Sequence, residues 1–351
     1  MTIESLIKEW EGETVITRYD RPTGAWIFIA IHFTRGGRAG GGTRMRSYAN
    51  PGLALHDALR LASAMTYKFA VAGIPRGGAK AVIAVPPKLD EQSRSDLLRR
   101  YGIMISQLGG LFSTGPDVGT SAEDMDMIGE TGAPYVYGRT PAAGGPGDSG
   151  PMTALGVSAG IHLTCEYLFG EPSLKNRRVL VQGAGSVGGP LIERLLASGA
   201  EVIFSEVDDA LIRRFRDELG VKYVPAEAVY ETECDVFSPC ALGGFLNGDT
   251  IARLKCRAVV GAANNQLAES EDAERLRTRG ILYAPDYLVN MGGVLALSGI
   301  EDRGWSQAEA ETRVVETVNS MLGQVYELAK AENTTTDAAA RRIAEQQLAV
   351  S

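Results

Sequence analysis

Two lysines, Lys68 and Lys80, stand twelve residues apart on either side of a glycine turn, in Met65-Thr66-Tyr67-Lys68 and Pro75-Arg76-Gly77-Gly78-Ala79-Lys80. Asp117 follows in Thr114-Gly115-Pro116-Asp117-Val118-Gly119. Alone, a lysine reads as a solvated surface residue and such an aspartate as a turn cap. The surroundings argue otherwise. Lys68 is the only charge in Ala64–Ala72, and Lys80 lies between the glycine turn and a β-rich run. Asp117 has only Gly, Pro, Val and Gly about it. Burying an unpaired charge is costly, so each of these groups should have a task. Desolvation and a neighbouring cation both push a lysine pKa down, which suits Lys80 to act as a base near neutral pH. Lys68 suits a grip on a substrate carboxylate, and Asp117 suits proton transfer.

A glycine-rich loop, Gly183-Ala184-Gly185-Ser186-Val187-Gly188, follows the apolar run Arg178–Gln182 and opens a helical pattern. Such a triplet is weak by itself, but this context is the one a dinucleotide needs. The first glycine turns the chain, the second admits a pyrophosphate, and the third lets helix and strand pack. Glu206, just past the next strand-like run Glu201–Ser205, would bind ribose hydroxyls and repel a 2′-phosphate, favouring NAD over NADP. Asn264-Asn265 end the run Val259–Ala263, where amides can reach a cofactor carboxamide or a substrate carboxylate. With an electron acceptor in the loop, the two lysines and the aspartate read as oxidation of an amino acid at its α-carbon.

The elements that must hold these groups can be sketched. Gly24–Phe33 reads as a buried strand, Gly36–Gly42 as a loop, and Leu53–Lys68 as a helix with Leu55, Leu59, Ala62 and Met65 on one face. Ala142–Pro151, rich in Gly and Pro, marks a boundary. Beyond it strands alternate with helices, implying a parallel doubly wound sheet. The expected fold class is α/β, with an N-terminal α/β substrate domain (residues 1–145), a Rossmann-type NAD-binding domain (146–324) and a cleft between them. The helices over about 325–351 are expected to pack back on the first domain.

The net charge of −8 argues against nucleic-acid or anionic-membrane partners. No apolar run approaches the roughly 20 residues of a membrane span, and the N-terminus lacks the pattern of a signal peptide, so a cytoplasmic location is expected. Cys165, Cys234, Cys240 and Cys256 show no metal-ligand spacing and read as reduced thiols. His32, His56 and His162 lie in apolar or helical patterns and read as structural. No metal site is indicated.

Taken in order, these segments resemble the leucine, phenylalanine and valine dehydrogenase branch of the amino-acid dehydrogenase superfamily. The resemblance rests on Gly41-Gly42-Thr43-Arg44, the two lysine segments, Gly115–Thr120 and Gly183–Gly188. Pro239-Cys240-Ala241-Leu242-Gly243-Gly244, Gly261–Gln266 and Tyr283–Tyr287 continue it. It implies that Lys68 holds the substrate carboxylate, Lys80 activates water and Asp117 relays protons. Gly40, Gly41, Gly42, Gly115, Asn264, Asn265, Val294 and Leu297 are then expected around the substrate. Gly183, Ala184, Gly185, Ser186, Val187, Gly188, Glu206, Cys240, Ala241, Ala262 and Asn264 are expected around NAD. A homo-oligomer acting on an amino acid, its 2-oxo acid and ammonium is also implied. Glycines at 40 and 115, where leucine-specific relatives tend to have larger residues, point to an aromatic side chain of the phenylalanine type; a leucine- or valine-type substrate, or an unusual oxo acid aminated biosynthetically, is the alternative. Two positions depart from the family pattern: Ala79 stands in place of a third glycine, and Met291 in place of alanine. If position 79 needed a positive φ, Lys80 would be displaced, and a weakly active NAD-binding sensor would be the remote alternative.

Overall fold

The structure is a computed structural model describing residues 3–241 and 243–349. Two compact units emerge: one holds the chain up to Asp148 together with Leu297–Gly304 and the last described residues from Gln347, the other Ser149–Ala296 and Trp305–Gln346. The break after Asp148 falls inside the Gly- and Pro-rich segment.

The first unit runs α1 (Ile3–Trp10), β1 (Thr14–Asp20), β2 (Ala25–Ile31), β3 (Ala39–Arg46), α2 (Pro51–Val71), β4 (Gly77–Ala84), α3 (Glu91–Gln107), β5 (Phe112–Pro116) and α4 (Ala122–Gly132). Its sheet has the order β1-β2-β4-β3-β5. β1, β2 and β4 pair antiparallel, while β3 is parallel to both β4 and β5. Alternation decides the two faces. Ile27, Ile29, Ile31, Ala79, Ala81 and Ile83 pack with Leu97, Tyr101 and Ile105 of α3 and Met125 and Ile128 of α4. Phe28, Ala30 and Val82 pack the other way, against Leu55, Leu59 and Ala62 of α2. Lys80 shares the parity of Val82, so it belongs to the face that α2 covers. The start of α2 is fixed by Asn50, whose side chain accepts the Leu53 N–H at 3.0 Å, with Pro51 in the first turn.

The second unit continues with α5 (Gly150–Phe169), β6 (Arg178–Gln182), α6 (Gly188–Ala197), β7 (Glu201–Ser205), α7 (Asp209–Ile212, extended by a π-helical turn to Glu218) and β8 (Lys222–Tyr223). It then runs β9 (Val236–Pro239), α8 (Gly248–Arg253), β10 (Ala258–Val259), α9 (Glu271–Thr278), β11 (Leu282–Tyr283), α10 (Asp286–Val289), α11 (Gly292–Arg303), α12 (Gln307–Glu332) and α13 (Thr336–Ala349). The six strands are parallel in the order β11-β10-β9-β6-β7-β8. That is a Rossmann-type order, reversing direction beside β6.

Two expectations need correction. The glycines at 40–42 are not in a loop: they belong to β3, where a Cβ on Gly41 would lie 1.7 Å from the Ala79 carbonyl oxygen. The run is glycine because the backbones approach closely, and only Gly36 and Gly37 of that stretch have positive φ. Nor do the last two helices, up to Gln346, join the first unit. α12 buries Val314, Val318, Leu322 and Val325 at helical spacing within the second unit, and its Tyr326 hydroxyl lies 2.7 Å from Thr164 Oγ1 of α5. The parts that join the first unit are Leu297–Gly304 and the described residues from Gln347 on.

Candidate active site

Lys80 projects from the centre of its sheet with its side chain 5% exposed, and its Nζ lies 3.1 Å from Asp117 Oδ2. Asp117 follows the last residue of β5 directly. Its own N–H donates to Thr120 Oγ1 at 3.0 Å, which fixes the turn that carries it. The same Oδ2 accepts Arg44 Nε at 2.9 Å. Arg44 stands on β3, so three consecutive elements in space, β4, β3 and the end of β5, converge on one carboxylate oxygen.

Burial alone would raise the Asp117 pKa, but the charges of Lys80 and Arg44 and their hydrogen bonds outweigh it and bring it down to about 2. Lys80 shifts the other way relative to its charged form. Burial lowers its pKa most, Asp117 pulls it up, and Arg44 pushes it down again, leaving it below the ordinary lysine value. The asymmetry is physical: the aspartate has two cations, whereas the lysine shares one anion with a competitor. The cation beside Lys80 is therefore Arg44, a residue for which the sequence suggested no role. The signal was available, since an arginine inside the buried run Gly40–Met45 requires a partner.

Glycines form the floor around this cluster. Gly42 and Gly115 pair across β3 and β5. A Cβ on Gly42 would meet Asp117 Cβ at 3.0 Å and Lys80 Nζ at 3.3 Å. A Cβ on Gly115 would meet only Tyr137, at 3.6 Å or more, and one on Gly40 would touch the Phe69 ring at 3.0 Å. Lys68 is buried near the C-terminal end of α2, the helix that covers the Lys80 face. Ala79 is a regular strand residue paired with Ile31 and fully buried, with no positive φ, so the alanine displaces nothing. Leu297 approaches the first unit's loop, with its Cδ1 3.5 Å from where a Gly138 Cβ would be. The same stretch of α11 is anchored there. Asp302 accepts Arg76 at 2.7 Å and the Tyr137 hydroxyl at 2.7 Å, and Glu301 accepts the Gly138 N–H at 2.8 Å. Val294, one turn before Leu297, is half-buried like it. Met291 is wholly buried.

In the second unit the glycine loop has the geometry of a dinucleotide cradle. Gly183 has φ +93°, and a Cβ there would crowd Ala241 at 3.0 Å. A Cβ on Gly188 would lie 1.9 Å from the Gly183 carbonyl oxygen and 3.3 Å from Cys240 Cβ. Gly185, by contrast, has no atom within 4 Å of its added Cβ. Gly185 and Ser186 are exposed, and no side chain caps α6 at Val187, so its first N–H groups suit an anion. Glu206 reaches back to this loop, accepting the Ala184 N–H at 2.7 Å and the Val207 N–H at 2.6 Å. At the end of β10, Ala262 O and Asn264 Oδ1 both accept Asn290 Nδ2 at 3.0 Å. Asn265 takes φ +52° and donates its N–H to Asp286, while its Nδ2 is buried without a hydrogen-bond partner. Leu242 lies outside the described residues.

The four thiols are free, and burial raises the Cys256 pKa to about 12. His32 pairs with Thr66 at 2.9 Å and His162 with the Pro172 carbonyl at 2.8 Å. Among the described residues no cluster of three or more His, Cys, Asp or Glu is arranged to hold a metal ion, and no helix is long and apolar enough to cross a membrane.

A buried lysine–aspartate pair on one unit and a Rossmann-type dinucleotide cradle on the other define an oxidoreductase. The chain belongs to the glutamate/leucine/phenylalanine/valine dehydrogenase family, the amino-acid dehydrogenases: the family's dimerisation-domain model matches residues 21–133 and its glutamate/leucine/phenylalanine/valine dehydrogenase model residues 204–351. Leucine dehydrogenase of Thermoactinomyces intermedius is 39% identical over 348 residues, spanning 99% of this chain and 94% of that one. Valine dehydrogenase of Streptomyces albus is 41% identical over 341 residues, spanning 96% and 92%. Among solved structures, L-tryptophan dehydrogenase from Nostoc punctiforme superposes with a TM-score of 0.78 at 36% identity, covering 98% of both chains.

Proposed function

We propose that the protein catalyses the NAD-dependent, reversible oxidative deamination of an L-amino acid to a 2-oxo acid and ammonium, with an aromatic side chain preferred. The observation that carries this reading is the convergence of Lys80 and Arg44 on one buried Asp117 carboxylate oxygen beside the Gly42–Gly115 floor. Lys68 binds the substrate carboxylate. When bound, NAD supplies the acceptor for the hydride on Cα. Neutral Lys80 takes a proton from water as that water adds to the imine carbon. Asp117 relays to the nitrogen of the resulting carbinolamine the proton that Lys80 took up, Lys80 then accepts the hydroxyl proton as the C–N bond breaks, and ammonia leaves as the 2-oxo acid forms.

The cofactor assignment is supported by the open space at Gly185, which leaves room for a pyrophosphate, and by Glu206 beside Ala184. Ser186 and Val187 present the phosphate-facing turn, and Cys240, Ala241 and Ala262 flank it from neighbouring strand ends. Asn264 and Asn265 offer amide groups to the carboxamide and the substrate. A carboxylate at Glu206 repels a 2′-phosphate, so kcat/KM should favour NAD over NADP; equal values would remove Glu206 from the ribose site.

The side-chain preference is read from Gly115 and Gly40 of the first unit, with Leu297 of the same unit. An aromatic ring recovers contacts that an aliphatic chain would forfeit over the open Gly115, at about 1–3 kcal/mol per methylene of mismatch; Gly40 is already covered by the Phe69 ring. The leucine and valine dehydrogenase relatives support the branched-chain reading, and the tryptophan dehydrogenase supports the aromatic one. Initial rates with phenylalanine, tryptophan, leucine and valine decide between them. A preference for leucine or valine refutes the pocket argument, and no NADH from any amino acid refutes the function. Because a methyl at Gly115 meets only ordinary contacts, Gly115→Ala should move the preference about tenfold toward smaller side chains.

A further inference from the structure

Arg44 does more than neutralise. Its Nε holds Asp117 Oδ2 at 2.9 Å while its Nη1 holds Asp57 Oδ2, on α2, at 3.0 Å. Asp57 is itself pinned by the Tyr48 hydroxyl at 2.7 Å and by Arg60 at 3.2 Å. The guanidinium is a planar bridge between two carboxylates on separate elements, a geometry a single ammonium cannot reproduce.

We propose that Arg44 is a positioning residue for the deamination: it fixes the Asp117 carboxylate through Oδ2 and balances its charge while Lys80 is without its proton. A guanidinium keeps its charge throughout, whereas a lysine acting as a base must cycle. With Lys80 neutral, a buried carboxylate facing only an amine would take up a proton or turn away. Arg44 holds it ionised and leaves Oδ1, which carries neither cation, for the substrate nitrogen. The charged groups acting most on Lys80 are Asp117 beyond β5, Arg44 on β3 and Asp57 on α2, and α2, which covers this face, also carries Lys68. Removing Arg44 abolishes a repulsion and gives Lys80 sole possession of Asp117, so the lysine should hold its proton to higher pH.

The proposal rests on the deamination reading for its kinetic arm only. The test is a pH titration of ε-13C-lysine-labelled enzyme by NMR, with the Lys80 resonance identified by its loss in Lys80→Ala, run beside steady-state kinetics. In Arg44→Gln the Lys80 midpoint should rise by about one pH unit, with kcat at least about tenfold lower and NAD affinity unchanged. Arg44→Lys should keep the midpoint near that of the parent yet still lose kcat, because the bridge to Asp57 is gone. An unmoved midpoint in Arg44→Gln, or parental kcat in Arg44→Lys, overturns the assignment. If Arg44→Gln does not fold, the kcat of Arg44→Lys decides. If the parent oxidises no amino acid, the deamination reading falls, and the Lys80 midpoint in Arg44→Gln still decides whether Arg44 governs this site.

Discussion

In the first unit the proposed chemistry resides in side chains: Lys80, Asp117, Arg44 and Asp57 are linked nitrogen to oxygen in one continuous chain. In the second, the corresponding work falls to the backbone. Gly183, Gly185 and Gly188 shape a cradle whose donors are N–H groups, and Glu206 steadies it through Ala184. The contrast reflects what each site must do. Moving protons requires ionisable groups whose pKa values are set by burial and by one another, so that cluster is deep and mutually satisfied. Holding a dinucleotide requires room and fixed dipoles, so that loop is exposed and nearly free of side chains.

The comparison can be pressed hardest at Lys68. Lys68→Ala should raise KM for the amino acid about a hundredfold or more, with a smaller fall in kcat from misorientation, since a charged partner of the substrate carboxylate is lost. A KM close to that of the parent would place the carboxylate elsewhere, against the Gly40–Gly42 backbone. In the cradle, two glycines should separate packing from binding. Gly188→Ala drives a methyl into the Gly183 carbonyl, so it should cost about 1–3 kcal/mol of stability and lower Tm. Gly185→Ala meets no atom; Tm should stay unchanged while NAD binds about tenfold more weakly. Weaker NAD binding without any loss of Tm in Gly188→Ala would show that close packing there is unimportant.

A smaller effect is expected from acid. The Asp117 pKa is depressed to about 2 from 3.8, so the stability it contributes is fully present above 3.8 and is lost as pH falls through about 2. Between those values, Asp117→Asn should flatten the pH dependence of unfolding free energy. An unchanged slope would mean that Asp117 is not held by its two cations.

Much of this was legible in the sequence, for identifiable reasons. The cradle was readable because its glycines, strand and helix are contiguous, and Lys80 and Asp117 stood out as charges in uncharged surroundings. Arg44 and Asp57 were not assigned, because their partners lie 73 and 13 residues from Arg44 along the chain and meet only once β3 lies between β4 and β5. The Gly40–Gly42 run looked like a turn, since sequence shows glycine's freedom but not the Ala79 carbonyl that requires it. The place of α13 and of Leu297–Gly304 depended on which unit offered each helix a matching apolar face, a choice that periodicity alone does not make.

The most direct test of the account is Lys80→Ala, assayed for both NADH formation from the preferred amino acid and NAD affinity. Loss of the base should lower kcat by about 10²-fold or more and leave the NAD Kd unchanged, because the cradle lies in the other unit. Near-parental kcat in this variant would contradict the assignment of Lys80, and with it the claim that the buried lysine–aspartate pair performs the chemistry.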